Sequence, residues 1–303
     1  MSVCLKGRDF LTIYDWTREE LDQLLATAEM LKLRQKMGMV DRPLAGKTLG
    51  MIFTKPSTRT RLSFEVGIYQ LGGMGLFLSA SDLQLRRGET IADTARVLSR
   101  YLDGIMIRTY AHKDVEELAE YASIPVINGL TDWQHPCQAM GDLMTIKEKK
   151  GRLAGLKLAF LGDGNNVAHS LMEAGAKFGM EVVVACPKGY EPDPVVVSRT
   201  GGHVMVGEPE AAVAGADVVY TDVWASMGQE AQAERRAKAM ARYQVNPGLM
   251  RAAKPDALFM HCLPAHRGEE VVDEVMDGPQ SVVWDQAENR LHIQKAIMAL
   301  VMG

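Results

Sequence analysis

Cysteine is scarce in this chain of 303 residues. The four present, Cys4, Cys137, Cys186 and Cys262, are scattered and share no framework spacing. That excludes a disulfide scaffold and points to a reduced, cytoplasmic protein. An excess of one charge is also missing: 34 Lys and Arg stand against 38 Asp and Glu, a net charge of −4. A general nucleic-acid binder is not expected on that balance, so local basic clusters must be read as sites. No apolar run is long enough to span a bilayer. The start, "MSVCLKGRDF", lacks the basic-then-apolar pattern of a signal peptide. There is no short repeat, no low-complexity tract and no Gly-x4-Gly-Lys phosphate loop.

What is present is an alternation of short apolar runs and helical patterns. Hydrophobic residues make up 47%, enough for two cores, and the length suits two domains. Residues 17–37 read as an amphipathic helix, with Thr17 and Glu20 placed for a capping box. Strands are expected at 48–53, 75–79, 104–108 and 124–128, with helices at 58–71, 90–101, 113–121 and 136–149. On the helix at 58–71, Leu62, Val66 and Tyr69 share one face. The charged stretch "KEKKGRLAG" (147–155) marks a domain boundary, after which the pattern restarts. Strands are expected there at 156–162, 181–186, 202–206, 217–221 and 257–262, and a last helix at about 286–301 follows a strand-like "SVVW". Continuous apolar strands between helices mean parallel sheets covered on both faces. The expected fold is α/β, two doubly wound parallel-sheet domains in series linked by helices: 1–148, with a C-terminal helix of about 286–303 packing back on it, and 149–285.

Ligands of such sheets bind beyond the carboxyl ends of the strands. The loops there hold most of the unusual residues. "STRTR" (57–61) opens a helix with Ser57, Thr58, Arg59, Thr60 and Arg61. A helix start exposes N–H groups and partial positive charge, so these residues suit a phosphate; a plain capped helix with solvated arginines is the simpler alternative. Loop 79–90 is long and polar, with Gln84, Arg86 and Arg87. Arg108 ends a strand at the crevice edge, where a surface arginine is the default. "HPCQ" (135–138) offers His135 to an oxyanion and Gln138 to an amide. His135 and Cys137 with His261 and Cys262 match no zinc spacing, so no metal is expected. "GDGNN" (162–166) lacks the third glycine of a dinucleotide turn, and its asparagines, Asn165 and Asn166, can instead read a zwitterion. Asp222 can fix an ammonium or merely form an Asx-turn. In "MHCLPAHRGEE", Cys262 is either a nucleophile or a ligand contact without covalent work.

Taken together, "STRTR", "HPCQ" and "HCLP", in this order and spacing, resemble the transcarbamylase family over essentially the whole chain. "DVWASMGQE" and "HCLPAHRGEEV" resemble its ornithine branch, although Arg86 stands where that pattern has glycine. The resemblance implies transfer of the carbamoyl group of carbamoyl phosphate to the δ-amine of L-ornithine, giving L-citrulline and phosphate. It places carbamoyl phosphate on Ser57, Thr58, Arg59, Thr60, Arg108, His135, Pro136, Cys137, Gln138, Cys262, Leu263 and Arg290, with Gln84 reaching from a neighbouring subunit. Ornithine is implied at Asn166, Asp222, Ser226 and Met227, and catalytic roles at Arg108, His135 and Cys262. It further implies a homotrimer with shared sites, with higher assembly open, and neither organic cofactor nor metal. Putrescine or N-acetylornithine as acceptor is the nearest alternative. A nicotinamide-dependent dehydrogenase lies outside the class and lacks its full glycine fingerprint.

Overall fold

The computed structural model describes residues 3–79, 88–225 and 230–303. The chain divides into two compact units, one of residues 1–144 with 289–303 and one of 145–288.

The first unit opens with α1 (Arg18–Lys36), whose capping box forms: the Thr17 hydroxyl accepts the Glu20 N–H, and the Glu20 carboxylate accepts the Thr17 N–H. Then come β1 (Thr48–Phe53), α2 (Thr58–Gln70), β2 (Met74–Ser79), α3 (Ile91–Leu98), β3 (Gly104–Arg108), α4 (His112–Tyr121), β4 (Val126–Leu130) and α5 (Pro136–Lys150). Every pairing between these strands is parallel, in the order β2-β1-β3-β4. Strand β1 alternates between two layers. Ile52 joins Ala95, Val115 and Leu118 of α3 and α4, while Met51 meets Ile68 of α2 across Gly75. Burial on both faces is why this strand reads as one apolar run rather than an alternation.

The second unit runs β5 (Lys157–Leu161), α6 (Asn166–Phe178), β6 (Glu181–Cys186), α7 (Pro194–Thr200), β7 (His203–Val206), α8 (Pro209–Val213), β8 (Val218–Thr221), α9 (Ala233–Met240), α10 (Pro247–Ala252), β9 (Leu258–His261) and α11 (Asp273–Met276). Its sheet is also parallel, in the order β7-β6-β5-β8-β9. Ala159, Leu161, Val183, Val219 and Phe259 pack with Val213, Met250 and Val275 into one core. The last helix, α12 (Val283–Met302), starts earlier than the pattern predicts. Within "SVVW" only Ser281 bridges to β9, and the following residues turn helical.

The expected fold class is the observed one. One helix face is not used as an apolar stripe normally is. In α2 the buried side is Thr60, Phe64, Gly67 and Ile68, and Leu62, Val66 and Tyr69 are exposed. Gly67 lets α12 come close, since a Cβ there would lie 2.9 Å from Met298. Among the described residues, no helix is long and apolar enough to cross a membrane.

In both sheets the chain order reverses beside the first strand of the unit. Strand β1 lies between β2 and β3, and β5 between β6 and β8. Loops leaving neighbouring strands in opposite directions open a crevice at such points. The loops after β1 and β3 flank one, and those after β5 and β8 flank the other.

Candidate active site

In the first unit, Ser57 caps α2: its hydroxyl oxygen accepts the Thr60 N–H at 3.2 Å and keeps its own proton to donate. Thr58 and Arg59 then sit in the first turn, where a helix presents N–H groups and partial positive charge. Arg108 ends β3 in register with Phe53 of β1, which brings its guanidinium to the same point. It donates to Thr60 Oγ1 at 3.4 Å, and Arg290 of α12 donates to the same oxygen at 2.9 Å. All three side chains are buried.

His135 stands at the start of α5 and its carbonyl accepts the N–H groups of Gln138 and Ala139. Burial holds this imidazole well below its ordinary pKa, and the charges of Arg290, Arg108 and Arg59 act in the same direction. It is therefore neutral at pH 7 and can donate one N–H without adding charge. Gln138 donates through Nε2 to Asp142 Oδ1 at 2.8 Å, one turn along α5. Its Oε1 is buried with no hydrogen-bond partner among the described residues, an open acceptor for an amide N–H. Thus Ser57, Thr58, Arg59, Thr60, Arg108, His135, Gln138 and Arg290 gather around two helix starts, a setting built for a small anion.

Two further predicted members, Pro136 and Cys137, sit at the start of α5. The Cys137 thiol points to the Asn128 carbonyl oxygen at 3.4 Å, and burial pushes its pKa up to about 12. Pro136 has no N–H, so it serves as the preset first residue of the helix. Two basic residues near the α2 start in sequence, Lys55 and Arg61, are committed to other partners. Lys55 is paired with Asp132 and lies over the Tyr110 ring, and Arg61 is paired with Glu65 over Phe77. Gln84 lies outside the described residues.

The second unit gathers a different set. Asp222 follows β8, Cys262 follows β9, and the Cys262 thiol donates to Asp222 Oδ1 at 2.9 Å. Oδ1 also accepts the Val223 N–H, and Oδ2 accepts from Asn165 Nδ2 at 2.8 Å. Asn165, which its place in "GDGNN" offers to a ligand, is engaged with the protein. Its Oδ1 caps α6 by accepting the Val167 and Ala168 N–H groups, and its amide holds Asp222. Asn166 is the first residue of α6, next to that cap. Ser226 and Met227 lie outside the described residues. Arg236, which no motif marked, pairs with Asp163 at 2.7 Å, donates to the Trp224 carbonyl and lies over Tyr190. It thereby ties the loop after β5 to the loop after β8; no sequence signal distinguishes it from Arg235, the other arginine of α9.

The glycines of "GDGNN" serve the chain. Gly162 has a φ of 127°, a conformation closed to most side chains, and a Cβ on Gly164 would stand 2.2 Å from the Pro192 nitrogen. Neither requirement involves a dinucleotide. Asp222, His261 and Cys262 offer potential metal-ligand atoms within 4.8 Å of one another. The Cys262 thiol and both His261 nitrogens are, however, engaged with protein groups.

Known proteins match this division of labour. Residues 8–148 match the carbamoyl-P binding domain model of aspartate/ornithine carbamoyltransferase, and residues 154–301 match its Asp/Orn binding domain model. The chain is 66% identical to an ornithine carbamoyltransferase of Thermococcus kodakarensis, over 100% of this chain and 99% of that one. The solved ornithine carbamoyltransferase of Pyrococcus furiosus superposes with a TM-score of 0.96 at 63% identity, covering 100% of this chain and 99% of that one. That of Thermus thermophilus gives 0.90 at 41% identity, with 97% and 99% covered. The chain belongs to the aspartate/ornithine carbamoyltransferase family.

Proposed function

We infer that this protein transfers the carbamoyl group of carbamoyl phosphate to the δ-amine of L-ornithine, releasing L-citrulline and phosphate. The observation that carries the reading is the convergence of buried Arg108 and Arg290 on Thr60, beside neutral His135 and the α2 start. The matched relatives bear the same activity in their names.

We assign carbamoyl phosphate to residues 1–148 with the helix of about 286–303, and ornithine to 149–285. Ser57, Thr58, Arg59, Thr60 and the α2 N–H groups hold the phosphate, Arg59 giving a two-pronged contact. Thr58, Arg108 and His135 donate to the carbonyl oxygen, and Gln138 Oε1 accepts from the carbamoyl NH2. Those donors are worth most when attack turns the carbonyl oxygen into an oxyanion. Ornithine's side-chain amine has an ordinary pKa of about 10.4 and must lose a proton before it attacks. Asp222 and Cys262 orient that amine, and Asn166, Ser226 and Met227 hold the amino-acid head. Nitrogen bonds to the carbonyl carbon, the oxyanion re-forms the C=O, and the C–O bond to phosphate breaks. The phosphate leaves with the pair from that bond and takes up the second proton of the attacking nitrogen, its charge matched by Arg59 and the helix start. No covalent enzyme intermediate is needed, and the reading requires neither organic cofactor nor metal.

The acceptor is tested by supplying carbamoyl phosphate with ornithine, putrescine or N-acetylornithine. Carbamoylation of ornithine is expected to dominate; preference for either other amine overturns the assignment.

We further propose a homotrimer with shared sites in a reducing, cytoplasmic setting. Leu62, Val66 and Tyr69 on α2 and Met74, Leu76 and Phe77 on edge strand β2 leave exposed apolar side chains around that edge of the sheet, suited to a second copy of the chain. Gln84 follows β2 in sequence, which is the support for its reaching a neighbour's site. Mixing Gln84→Ala with Arg108→Ala subunits should restore activity above either parent. Hybrid trimers as inactive as both parents would refute the sharing.

A further inference from the structure

The turn carrying Cys262 is held by a pair of buried side chains that the reaction itself does not use. Leu263 has a φ of 59°, in the left-handed region that a residue with a side chain avoids. Its N–H donates to His261 Nδ1 at 2.8 Å. A ring that accepts at Nδ1 must carry its proton on Nε2. That second nitrogen lies 3.0 Å from Glu270 Oε1, and both side chains are fully buried. The same oxygen accepts the His266 N–H at 2.6 Å. One carboxylate oxygen therefore ties both ends of the turn 262–265. From the strand side, the His261 N–H donates to Gln286 Oε1, and Gln286 Nε2 donates to the Tyr220 hydroxyl. Glu270 Oε2 is buried with no hydrogen-bond partner among the described residues. Packing alone would not favour such a carboxylate; a strong acceptor that selects one histidine tautomer accounts for it.

We propose that Glu270 and His261 are positioning residues for ornithine: Glu270 fixes the Nε2–H tautomer of His261, which holds the Leu263 peptide in its left-handed conformation. That conformation aims the Cys262 thiol at Asp222. The role rests on the reading of Asp222 and Cys262 as the ornithine end of the site. Neither residue of the pair touches substrate, so its loss acts through the turn.

The test combines nitrogen-15 histidine spectra with steady-state kinetics on the full protein. The His261 resonance, identified by its loss in His261→Gln, should show a protonated Nε2 and an unprotonated Nδ1. Glu270→Gln keeps a carbonyl acceptor and should keep that tautomer, with kcat/KM for ornithine within about threefold of wild type. Glu270→Leu removes the acceptor and should lower kcat/KM for ornithine at least about tenfold, with KM for carbamoyl phosphate unchanged. A proton on Nδ1 in the wild type overturns the proposal. So does a folded Glu270→Leu with full ornithine kcat/KM, or a Glu270→Gln that loses its tautomer. If Glu270→Leu does not fold, the wild-type tautomer and Glu270→Gln decide. A wild type that carbamoylates no amine overturns the substrate reading and this role together, and an Nε2–H spectrum then distinguishes that failure from a failed clamp.

Discussion

Arg290 and Thr60 lie 230 positions apart in sequence, and the Arg290 guanidinium donates to the Thr60 hydroxyl at 2.9 Å. Arg108 donates to the same oxygen. Thr60 thus orients two buried cations, and its effect on the phosphate end should exceed what a hydroxyl contributes by itself. Thr60→Val preserves shape and removes the acceptor. A hydrogen bond to a charged group is worth about 1.5–3 kcal/mol, so KM for carbamoyl phosphate should rise at least about tenfold. Ornithine KM should stay near wild type. Equal loss for both substrates in steady-state kinetics would refute this local role.

His135 supplies a pH signature. Its pKa is lowered in the folded protein, chiefly by burial and then by Arg290, Arg108 and Arg59. Unfolding restores it to about 6.5. Below that pH the unfolded chain binds a proton that the folded chain does not. Stability attributable to this residue is therefore fully present above about 6.5 and falls as pH drops toward the folded pKa, by at most about 1.4 kcal/mol per pH unit. His135→Gln should flatten this part of the stability curve between pH 7 and 5, as measured by urea denaturation at each pH. Parallel curves for the two proteins would show that His135 titrates normally.

The Cys262 thiol donates to Asp222 at 2.9 Å, and this contact fixes the direction of the side chain. Orientation, not nucleophilic attack, is the expected role. Cys262→Ser retains a donor and should keep measurable turnover with weaker ornithine binding. Mass spectrometry of wild type incubated with carbamoyl phosphate, without ornithine, should show no added carbamoyl group. An adduct on Cys262 would sink the direct-transfer mechanism.

Much of this arrangement was legible in the sequence because its causes are local. The Thr17 and Glu20 box, the Ser57 cap and the proline-led start of α5 each depend on neighbours within a few residues. Two-sided burial of the inner strands wrote the parallel sheets as apolar runs. Partnerships set by tertiary packing were not legible. Arg59 and Arg61 are alike in sequence, yet Arg61 is committed to Glu65 and Phe77 while Arg59 contributes its charge to His135. Asn165 was readable as a ligand contact, but only the approach of β8 to β5 shows it holding Asp222. The Glu270 clamp is invisible for the same reason, since nothing in "GEE" says which acid turns inward.

Gly164 gives the last prediction, because its glycine has a packing cause that competes with the nucleotide-turn reading. A methyl group there would stand 2.2 Å from the Pro192 nitrogen and 2.6 Å from the Glu191 carbonyl carbon. Both are backbone atoms, so no side-chain rotation can relieve the clash. The Gly164 N–H also donates to the Tyr190 carbonyl at 2.8 Å, which pins the two segments together. Gly164→Ala should therefore destabilise the protein by about 1–3 kcal/mol, the usual cost of overpacking. The displacement falls directly on Asn165 and through it on Asp222, so ornithine KM should rise while carbamoyl phosphate KM holds. Thermal denaturation and two-substrate kinetics measure both effects. An alanine variant as stable as wild type would mean that residues 190–192 do not pack on this turn, and the account of why glycine stands there would fail.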